Sequence, residues 1–228
     1  NVTMRPLTKG YFMATPKEKL ATSLEILTKL QESGRMAIRS KDLTRTHRER
    51  LLAAGFLQEV MKGWYFISRP DQTGGESTAW YVAYWGFCAD YLNSRFGETW
   101  CLSPDQSLLI HAGNQTVPLQ LLVRSTKGSN KPVSFPHDTS LLAIRASIPK
   151  RSDIEVKDGL RIYSLAPALI KASPTFFTTH EADARATLAI VSDASIVLPS
   201  LLDQGHTTIA GRLAGAFENI DRSRIADD

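Results

Sequence analysis

The sequence predicts an α+β protein: an N-terminal winged helix-turn-helix, an α+β middle domain with a small antiparallel sheet, and a helical C-terminal tail. Three observations support this prediction. A short cationic helix at residues 40–54 runs directly into a two-stranded hairpin. An aromatic helix at residues 78–96 precedes a series of strand-like segments. From His180 onward, apolar residues recur at helical spacing. The predicted domains are therefore residues 1–70, 76–175 and 176–228.

The first predicted helix begins at a capping box. Thr15 is the N-cap, Pro16 the first helical residue and Glu18 the third, so side chain and backbone satisfy each other's hydrogen bonds. The helix continues to Gly34, and its core-facing residues are Leu20, Leu24, Leu27 and Leu30. Residues 35–39 then predict a short strand that pairs with the hairpin.

The second helix has two alternative N-caps, Ser40 and Thr44. Gly55 suits a left-handed C-cap, so the helix should end at Ala54. Along it, His47 lies on the inward stripe, and we expect a buried histidine with its hydrogen bonds satisfied rather than a ligand.

The hairpin has strands at residues 56–60 and 64–67 around Met61-Lys62-Gly63. Glycine stands where a positive φ is needed. The sequence therefore predicts a turn with Lys62 at its tip.

Candidate nucleic-acid contacts lie on the outward face of the second helix and at the hairpin tip. In a winged helix the second helix of the pair enters the major groove and the wing follows the backbone. The candidate DNA-binding residues are Lys41, Thr44, Arg45, Thr46, Arg48 and Lys62. We expect the arginines to read guanine or phosphate, the threonines to donate from hydroxyls and the lysines to contact phosphates. Three alternatives stay open: a solvated surface, a module that binds only protein, and a different local fold.

The charge distribution favours a polyanionic partner for the first domain. Residues 1–70 carry 13 Lys and Arg against 6 Asp and Glu, whereas residues 71–228 carry 14 against 17. The basic excess therefore lies wholly in the first domain, where neutralising phosphates would release counterions. Attraction between the basic first domain and the acidic remainder is an alternative.

Residues 69–75 form a linker by composition. The aromatic helix that follows ends before Gly97 and covers more than one stripe with aromatics, which indicates burial rather than a base-stacking platform. A short helix then begins at Ser103-Pro104 and reaches Ile110.

Strands are predicted at residues 117–125, 139–147 and, as a hairpin around Asp158-Gly159, at 154–163. A short helix follows from Ser164 to Ala172. In the tail we expect helices at 181–191, at 192–202 and at 207–220, docking onto whatever follows.

Catalytic and metal-binding motifs are missing from the chain. It contains no phosphate-binding Gly-x-x-x-x-Gly-Lys, no Gly-x-Ser-x-Gly and no His-Glu-x-x-His, and its two cysteines lack metal-site spacing. His180, Glu181 and Asp183 at a helix start are explained by the helix dipole. We therefore expect no enzyme activity in this chain, no cofactor, no metal, no membrane partner, and a reduced cytoplasmic setting.

Three runs of sequence resemble the region that precedes the catalytic domain in a group of bacterial Fic-family proteins. They are RTHRERLLAAGFLQEVMKGWYFISRPD, the stretch from STAWYVAYWGF to LQLLVRS, and GHTTIAGRLAGAFENIDRSRIADD. This resemblance implies that a full-length protein would transfer a nucleotide monophosphate, usually AMP, to a target hydroxyl. The His-Pro-Phe and Gly-Asn-Gly-Arg signatures of the catalytic domain are missing, and so is the inhibitory Ser/Thr-x-x-x-Glu-Gly/Asn helix. The chain is therefore expected to be a fragment that binds, tethers or regulates.

The order of winged helix, aromatic helix and small sheet is also similar to the AbiEi-type antitoxins. That similarity implies operator binding with autorepression and an antitoxin role for the second domain. In this chain only Ser40–Leu43 is available for the first helix of the pair, which is unusually short.

Three functions follow as expectations: a DNA-binding regulatory module joined to a Fic domain, a regulatory or target-recruiting arm that does not bind DNA, and a free-standing antitoxin that binds a toxin protein.

Overall fold

A computed structural model describes residues 15–72, 77–202 and 207–227. The protein is α+β, and its contacts divide the chain into two compact units, Asn1–Glu76 and Ser77–Asp228. The division falls just beyond the predicted linker. The two units are called unit 1 and unit 2 below.

Unit 1 alternates helices with a small sheet. Its elements are α1 (Pro16–Glu32), β1 (Ala37–Arg39), α2 (Arg45–Ala53), β2 (Leu57–Met61) and β3 (Trp64–Ile67), followed by a 3-10 turn at Pro70–Gln72. The strands lie in the order β1-β3-β2, and both pairings are antiparallel. The predicted strand before the second helix therefore does pair with the hairpin.

The local signals in unit 1 produce the expected ends of its elements. The Thr15 hydroxyl accepts from the Glu18 N–H at 3.3 Å, and the Glu18 carboxylate accepts from the Thr15 N–H at 2.7 Å, which completes the capping box. Gly55 ends α2 with a φ of 76°, and Gly63 closes the hairpin with a φ of 82°. Both backbone conformations cost least at glycine.

The segment between β1 and α2 is a turn rather than a helix. Thr44, not Ser40, is the N-cap of α2, with its hydroxyl accepting from the His47 N–H at 3.4 Å. The Asp42 N–H donates to the Arg39 carbonyl at 2.9 Å, and the Asp42 carboxylate accepts from the Arg39 N–H at 2.9 Å. Because the Asp42 carboxylate accepts the Arg39 N–H, the chain forms a single turn here. Helix α2 begins only after the N-cap at Thr44.

Unit 1 has its own apolar core beneath the sheet. Its buried side chains come from both helices, the turn before α2 and all three strands: Leu27, Ile38, Leu43, Leu51, Leu57 and Tyr65. Leu20, Leu24 and Leu30, predicted as core, pack at its edge. This core holds α2 against the sheet, and thereby sets the position of its outer face.

Unit 2 contains the remaining elements. They begin with α3 (Thr78–Phe96), β4 (Trp100–Leu102), α4 (Pro104–His111), β5 (Gln120–Ser125), β6 (Pro132–Ser134), β7 (Ser140–Arg145), β8 (Ile154–Lys157) and β9 (Leu160–Tyr163). They continue with α5 (Leu165–Lys171), α6 (Phe176–Thr179), α7 (Glu181–Ile190), α8 (Leu198–Leu202), α9 (Thr207–Glu218) and α10 (Ser223–Asp227). Short 3-10 turns lie at Arg151–Asp153 and Ala194–Ile196.

The main sheet of unit 2 has the order β4-β5-β7-β6, and its central pair, β5 and β7, is parallel. The outer pairs, β4 with β5 and β6 with β7, are antiparallel, as is the separate hairpin of β8 and β9. The sheet is thus mixed, whereas the sequence predicted an antiparallel one. The reason is that β6, which lies between β5 and β7 in the chain, pairs with β7 at the edge of the sheet. Strands β5 and β7 therefore become neighbours that run in the same direction.

The three-residue strands β4 and β6 were not predicted. All three residues of β4 are buried, so it shows no alternation of apolar and polar residues, and β6 begins at a proline. Strands this short carry no periodic signal, and their pairing partners are distant in sequence.

Helix α3 is packed as its composition predicts. Trp80, Tyr84, Phe87, Tyr91 and Phe96 are all buried. Trp80 meets Phe87 edge-on at a centroid distance of 5.4 Å, and its indole N–H donates to the Thr139 hydroxyl at 3.0 Å. Aromatics on more than one side of the helix therefore belong to the core of unit 2.

The C-terminal helices share a core with the middle of the chain. Cys101, Leu108 and Leu169 belong to the same buried cluster as Leu188 and Phe217. Residues of the predicted tail therefore complete the apolar core of unit 2. One helix in this region, α6, was not among the predicted elements, because it spans only one turn.

Candidate nucleic-acid interface

Most of the candidate residues are exposed. Lys41, Thr44, Arg45, Thr46 and Lys62 lie on the surface of unit 1, and Arg48 is half-buried. Lys41 belongs to the turn before α2, and Lys62 lies at the tip of the β2–β3 hairpin. Thr44 is the N-cap of α2, and Arg45 and Thr46 are its first two residues. The question for function is whether these three segments lie together.

A chain of hydrogen bonds brings the three segments together. The Ser40 N–H donates to the carbonyl of Gly63 in the hairpin turn at 2.9 Å. The Arg48 guanidinium donates to the carbonyl of Ser40 at 3.0 Å and lies over the ring of Tyr65, with Cζ 5.9 Å from the centroid. Helix α2, the turn before it and the hairpin turn are therefore joined around Ser40. Lys62 is next to Gly63, and Lys41 is next to Ser40.

Arg48 consequently has a positioning role that its sequence position did not indicate. One of its nitrogens is bonded within unit 1, and its guanidinium lies against the buried Tyr65. Arg45, one turn earlier, points into solvent instead, with 83% of its side chain exposed. Of the two predicted groove readers, Arg45 is the more exposed.

Arg45 forms an ion pair along α2. Its Nε donates to Glu49 Oε1 at 2.7 Å, and the Glu49 side chain is 59% exposed. The hydrogen bond and charge of Glu49 raise the pKa of Arg45, and those of Arg45 lower the pKa of Glu49. A pair this open to water is weak, so a phosphate could compete for Arg45.

An ionic cluster beneath the surface holds the turn before α2. Asp42 accepts from Arg39 Nε at 3.2 Å and lies 3.0 Å from a nitrogen of Arg35. Only 8% of the Asp42 side chain is exposed. Burial alone would raise the pKa of Asp42, but the hydrogen bonds and charge of Arg39, together with the charge of Arg35, outweigh it, so the pKa is lowered.

We expect this cluster to make unit 1 sensitive to acid. A carboxyl group whose pKa is lower in the folded state stabilises the fold above its ordinary value of 3.8. That contribution is lost as the pH falls from this value through the lowered pKa. Asp42→Asn should therefore destabilise unit 1 at neutral pH and flatten the dependence of its unfolding free energy on pH in that acidic range. Urea unfolding at a series of pH values measures both effects. A variant with the wild-type slope below pH 3.8 would contradict the assignment.

His47 has the predicted structural role. Its Nδ1 lies 2.8 Å from the hydroxyl of Ser23, which is fully buried on α1. The same hydroxyl donates to the Lys19 carbonyl at 3.0 Å. Since a hydroxyl has one proton, His47 Nδ1–H is assigned as the donor to Ser23. The histidine therefore ties α2 to α1, although it is half-buried rather than buried as predicted.

Other chemistry is sparse in the part of the chain that the structure describes. Within residues 15–72, 77–202 and 207–227, no three His, Cys, Asp or Glu side chains converge as a metal site. Both cysteines are buried, and burial raises the pKa of Cys101 to about 12, so its thiol stays protonated at neutral pH. Among the same residues, no helix combines the length and the apolarity that crossing a bilayer requires.

Comparisons with known proteins support the fold alone. No protein-family profile matches the chain, and no curated protein sequence matches it. Among solved structures, the crystal structure of the RV2827C protein from Mycobacterium tuberculosis is similar, with a TM-score of 0.54 and 13% sequence identity. The match covers 91% of this chain and 79% of that one. At this identity the similarity concerns architecture, which extends over both units.

Proposed function

We propose that unit 1 is a winged helix-turn-helix that binds double-stranded DNA, and that the chain is a DNA-binding regulatory module. The surface that binds DNA consists of Lys41, Thr44, Arg45, Thr46 and Lys62; it is called the basic face below. The observation that carries the proposal is the hydrogen-bonded contact of the hairpin turn and α2 through Ser40.

The topology of unit 1 supports this proposal. Helix, strand, turn, helix and hairpin follow one another in winged-helix order, and β1 pairs with the second strand of the hairpin. The departure is the turn at residues 40–43, where a winged helix has the first helix of its reading pair. Under this proposal, the Asp42 ionic cluster replaces that helix, because it holds the turn that precedes the N-terminus of α2.

The chemistry of the basic face also suits a duplex. The N-terminal residues of a recognition helix are those that contact base edges, and here they are Arg45 and Thr46. Arginine can bind guanine O6 and N7 in a bidentate manner, whereas lysine contacts phosphates. Lys41 and Lys62 lie on the turn and the hairpin tip that meet at Ser40, where both could contact the phosphate backbone beside the groove.

The proposed biological role follows from the resemblances in the sequence. The chain would act as a transcriptional regulator or an antitoxin-like element, and its protein partner would be a Fic catalytic domain in the same polypeptide or a toxin. Its DNA affinity is a property of unit 1 and can be measured before that partner is known.

The direct test is a titration of the full chain onto a fluorescent duplex, followed by polarisation at several salt concentrations. For a face whose two lysines each neutralise a phosphate, the logarithm of the binding constant should fall with the logarithm of the salt concentration with a slope of about −2. A selection of binding sequences from random duplexes then tests base recognition by Arg45. Absence of binding at low salt, or a binding constant that does not change with salt concentration, would contradict the proposal. The protein-binding alternatives would then remain.

Substitution of Glu49 provides a second test, in which the affinity for duplex DNA should rise rather than fall. Its carboxylate pairs with Arg45 on the basic face and repels phosphates, so Glu49→Gln should raise the affinity for duplex DNA by about tenfold or less. Polarisation at one low salt concentration measures the change. Glu25→Gln is the matched control, because Glu25 is exposed on α1, away from this ion pair. Equal effects of the two substitutions would indicate a general change in net charge rather than release of Arg45.

A further inference from the structure

We propose that unit 2 binds a phosphorylated small molecule in a cationic cleft at the carboxyl ends of its two parallel strands. This site is independent of the basic face of unit 1.

The cleft lies where ligands gather in parallel sheets. In β5 and β7, Arg124 is paired with Ile144 and Ser125 with Arg145, and both strands end there. Between them in the chain lies β6, so the connection crosses to the edge of the sheet and returns. The carboxyl ends of parallel strands are the usual position of the ligand crevice in open α/β sheets.

Four segments of unit 2 line this crevice. A cavity of about 200 Å³ is bordered by the end of β5, the loop after β7, the end of β9 and the end of α5. The residues that contribute polar or charged groups are Arg124, Ser147, Lys150, Asp153, Tyr163 and Lys171. Arg124 Nε donates to the Ser147 carbonyl at 3.3 Å, which fixes the guanidinium at the mouth of the loop after β7.

The charges of the cleft suit a phosphate. Arg124, Lys150 and Lys171 contribute three positive charges and Asp153 one negative charge. The net charge matches a phosphate dianion, and arginine provides the planar donor pair that phosphate oxygens accept. Burial raises the pKa of Tyr163, so its phenol keeps the proton that it could donate.

A second cavity extends the cleft and indicates the size of the ligand. It has a volume of about 610 Å³ and shares Lys150, Asp153 and Lys171 with the first. Its other walls combine the apolar side chains of Pro167, Ile170, Pro199 and Leu202 with the hydroxyl groups of Ser152 and Ser200. Ligand pockets commonly measure about 300–1,000 Å³. The two cavities together therefore fit a molecule with a phosphate at one end and an uncharged ring at the other.

Isothermal titration calorimetry of the full chain with four probes tests the proposal: inorganic phosphate, ribose 5-phosphate, AMP and adenosine. We expect phosphate to bind weakly, a ring-bearing monophosphate to bind about tenfold or more tightly than phosphate, and adenosine not to bind detectably. Ribose 5-phosphate and AMP distinguish a sugar phosphate from a nucleotide. No heat from any of the phosphates, or binding of adenosine equal to that of AMP, would overturn the proposal.

Variants locate the site. Lys150→Gln with Lys171→Gln should weaken binding of the best phosphate probe by about tenfold or more, because two of the three cations are removed. Lys131→Gln, an exposed lysine outside both cavities, should leave it unchanged. Both proteins are first compared with wild type by circular dichroism. If the double variant loses affinity for duplex DNA while small phosphates fail to bind the wild type, the cleft is a nucleic-acid contact and the proposal fails. The basic face of unit 1 is tested separately through its own residues.

Discussion

Replacing Lys41, Arg45 and Lys62 together by glutamine should lower the affinity for duplex DNA by about a hundredfold or more. The three side chains are exposed, and they lie on the turn, the helix and the hairpin that meet around Ser40. Loss of one arginine that reads a base costs about 1–3 kcal/mol, and each lysine that contacts a phosphate contributes a smaller, salt-dependent amount. The variant should also reduce the salt slope by about two, one for each lysine. Polarisation titrations at several salt concentrations give both values.

Arg48 is left intact in this variant because it holds the basic face together. Its guanidinium bonds the carbonyl of Ser40 and lies over Tyr65, so its removal would change both charge and structure. The control is a triple variant of equal charge change at exposed positions of unit 2, Lys127→Gln with Lys131→Gln and Arg151→Gln. If the two triple variants lose equal affinity, the binding is a response to net charge and the basic face has no special part in it.

Trp80→Ala should be among the most destabilising substitutions in unit 2. Trp80 is fully buried on α3 and packs edge-on against Tyr84, Phe87 and Phe135, with centroid distances of 5.4, 5.4 and 5.7 Å. Its indole N–H donates to Thr139 at 3.0 Å. Removing a buried tryptophan costs about 3–5 kcal/mol, because the cavity is only partly refilled. For a protein of this size that lowers the melting temperature by about 10 °C.

Differential scanning calorimetry separates this effect from changes in unit 1. Val82→Ala is the matched control, since Val82 lies on the same helix with 77% of its surface exposed, and surface changes of this kind stay within about 0.5 kcal/mol. Trp80→Phe should fall between the two, because it keeps ring contacts and loses the hydrogen bond to Thr139. A melting temperature for Trp80→Ala equal to that of Val82→Ala would mean that the packing of Trp80 contributes little to the stability of unit 2.

Local chemistry made several elements predictable from sequence. The capping box at Thr15, the left-handed glycines at Gly55 and Gly63, and the Asp158-Gly159 turn each act within a few residues, so their outcome depends little on the rest of the chain. The dense aromatics of α3 likewise required burial wherever the helix was placed. Residue type also identified the exposed cations of α2 and the hairpin tip as candidates.

Long-range pairing is what sequence reasoning missed. Strands β4 and β6 have three residues each and are stabilised only by partners elsewhere in the sheet, and the parallel pairing of β5 with β7 depends on where β6 inserts. The turn before α2 is held by ion pairs of Asp42 with both Arg39 and Arg35. Arg35 precedes β1, so this pair spans the strand. A reader of the sequence sees an acidic residue near a helix start but not its partners.

The amino-acid sequence by itself determined where unit 1 carries positive charge and which short segments turn, because charge and turn chemistry belong to individual residues. Only the tertiary structure decided that Arg48 bonds Ser40 while Arg45 remains exposed, and that Arg124, Lys150 and Lys171 border one cleft. Those residues are brought together by sheet pairing and core packing, and both depend on contacts between segments far apart in the chain.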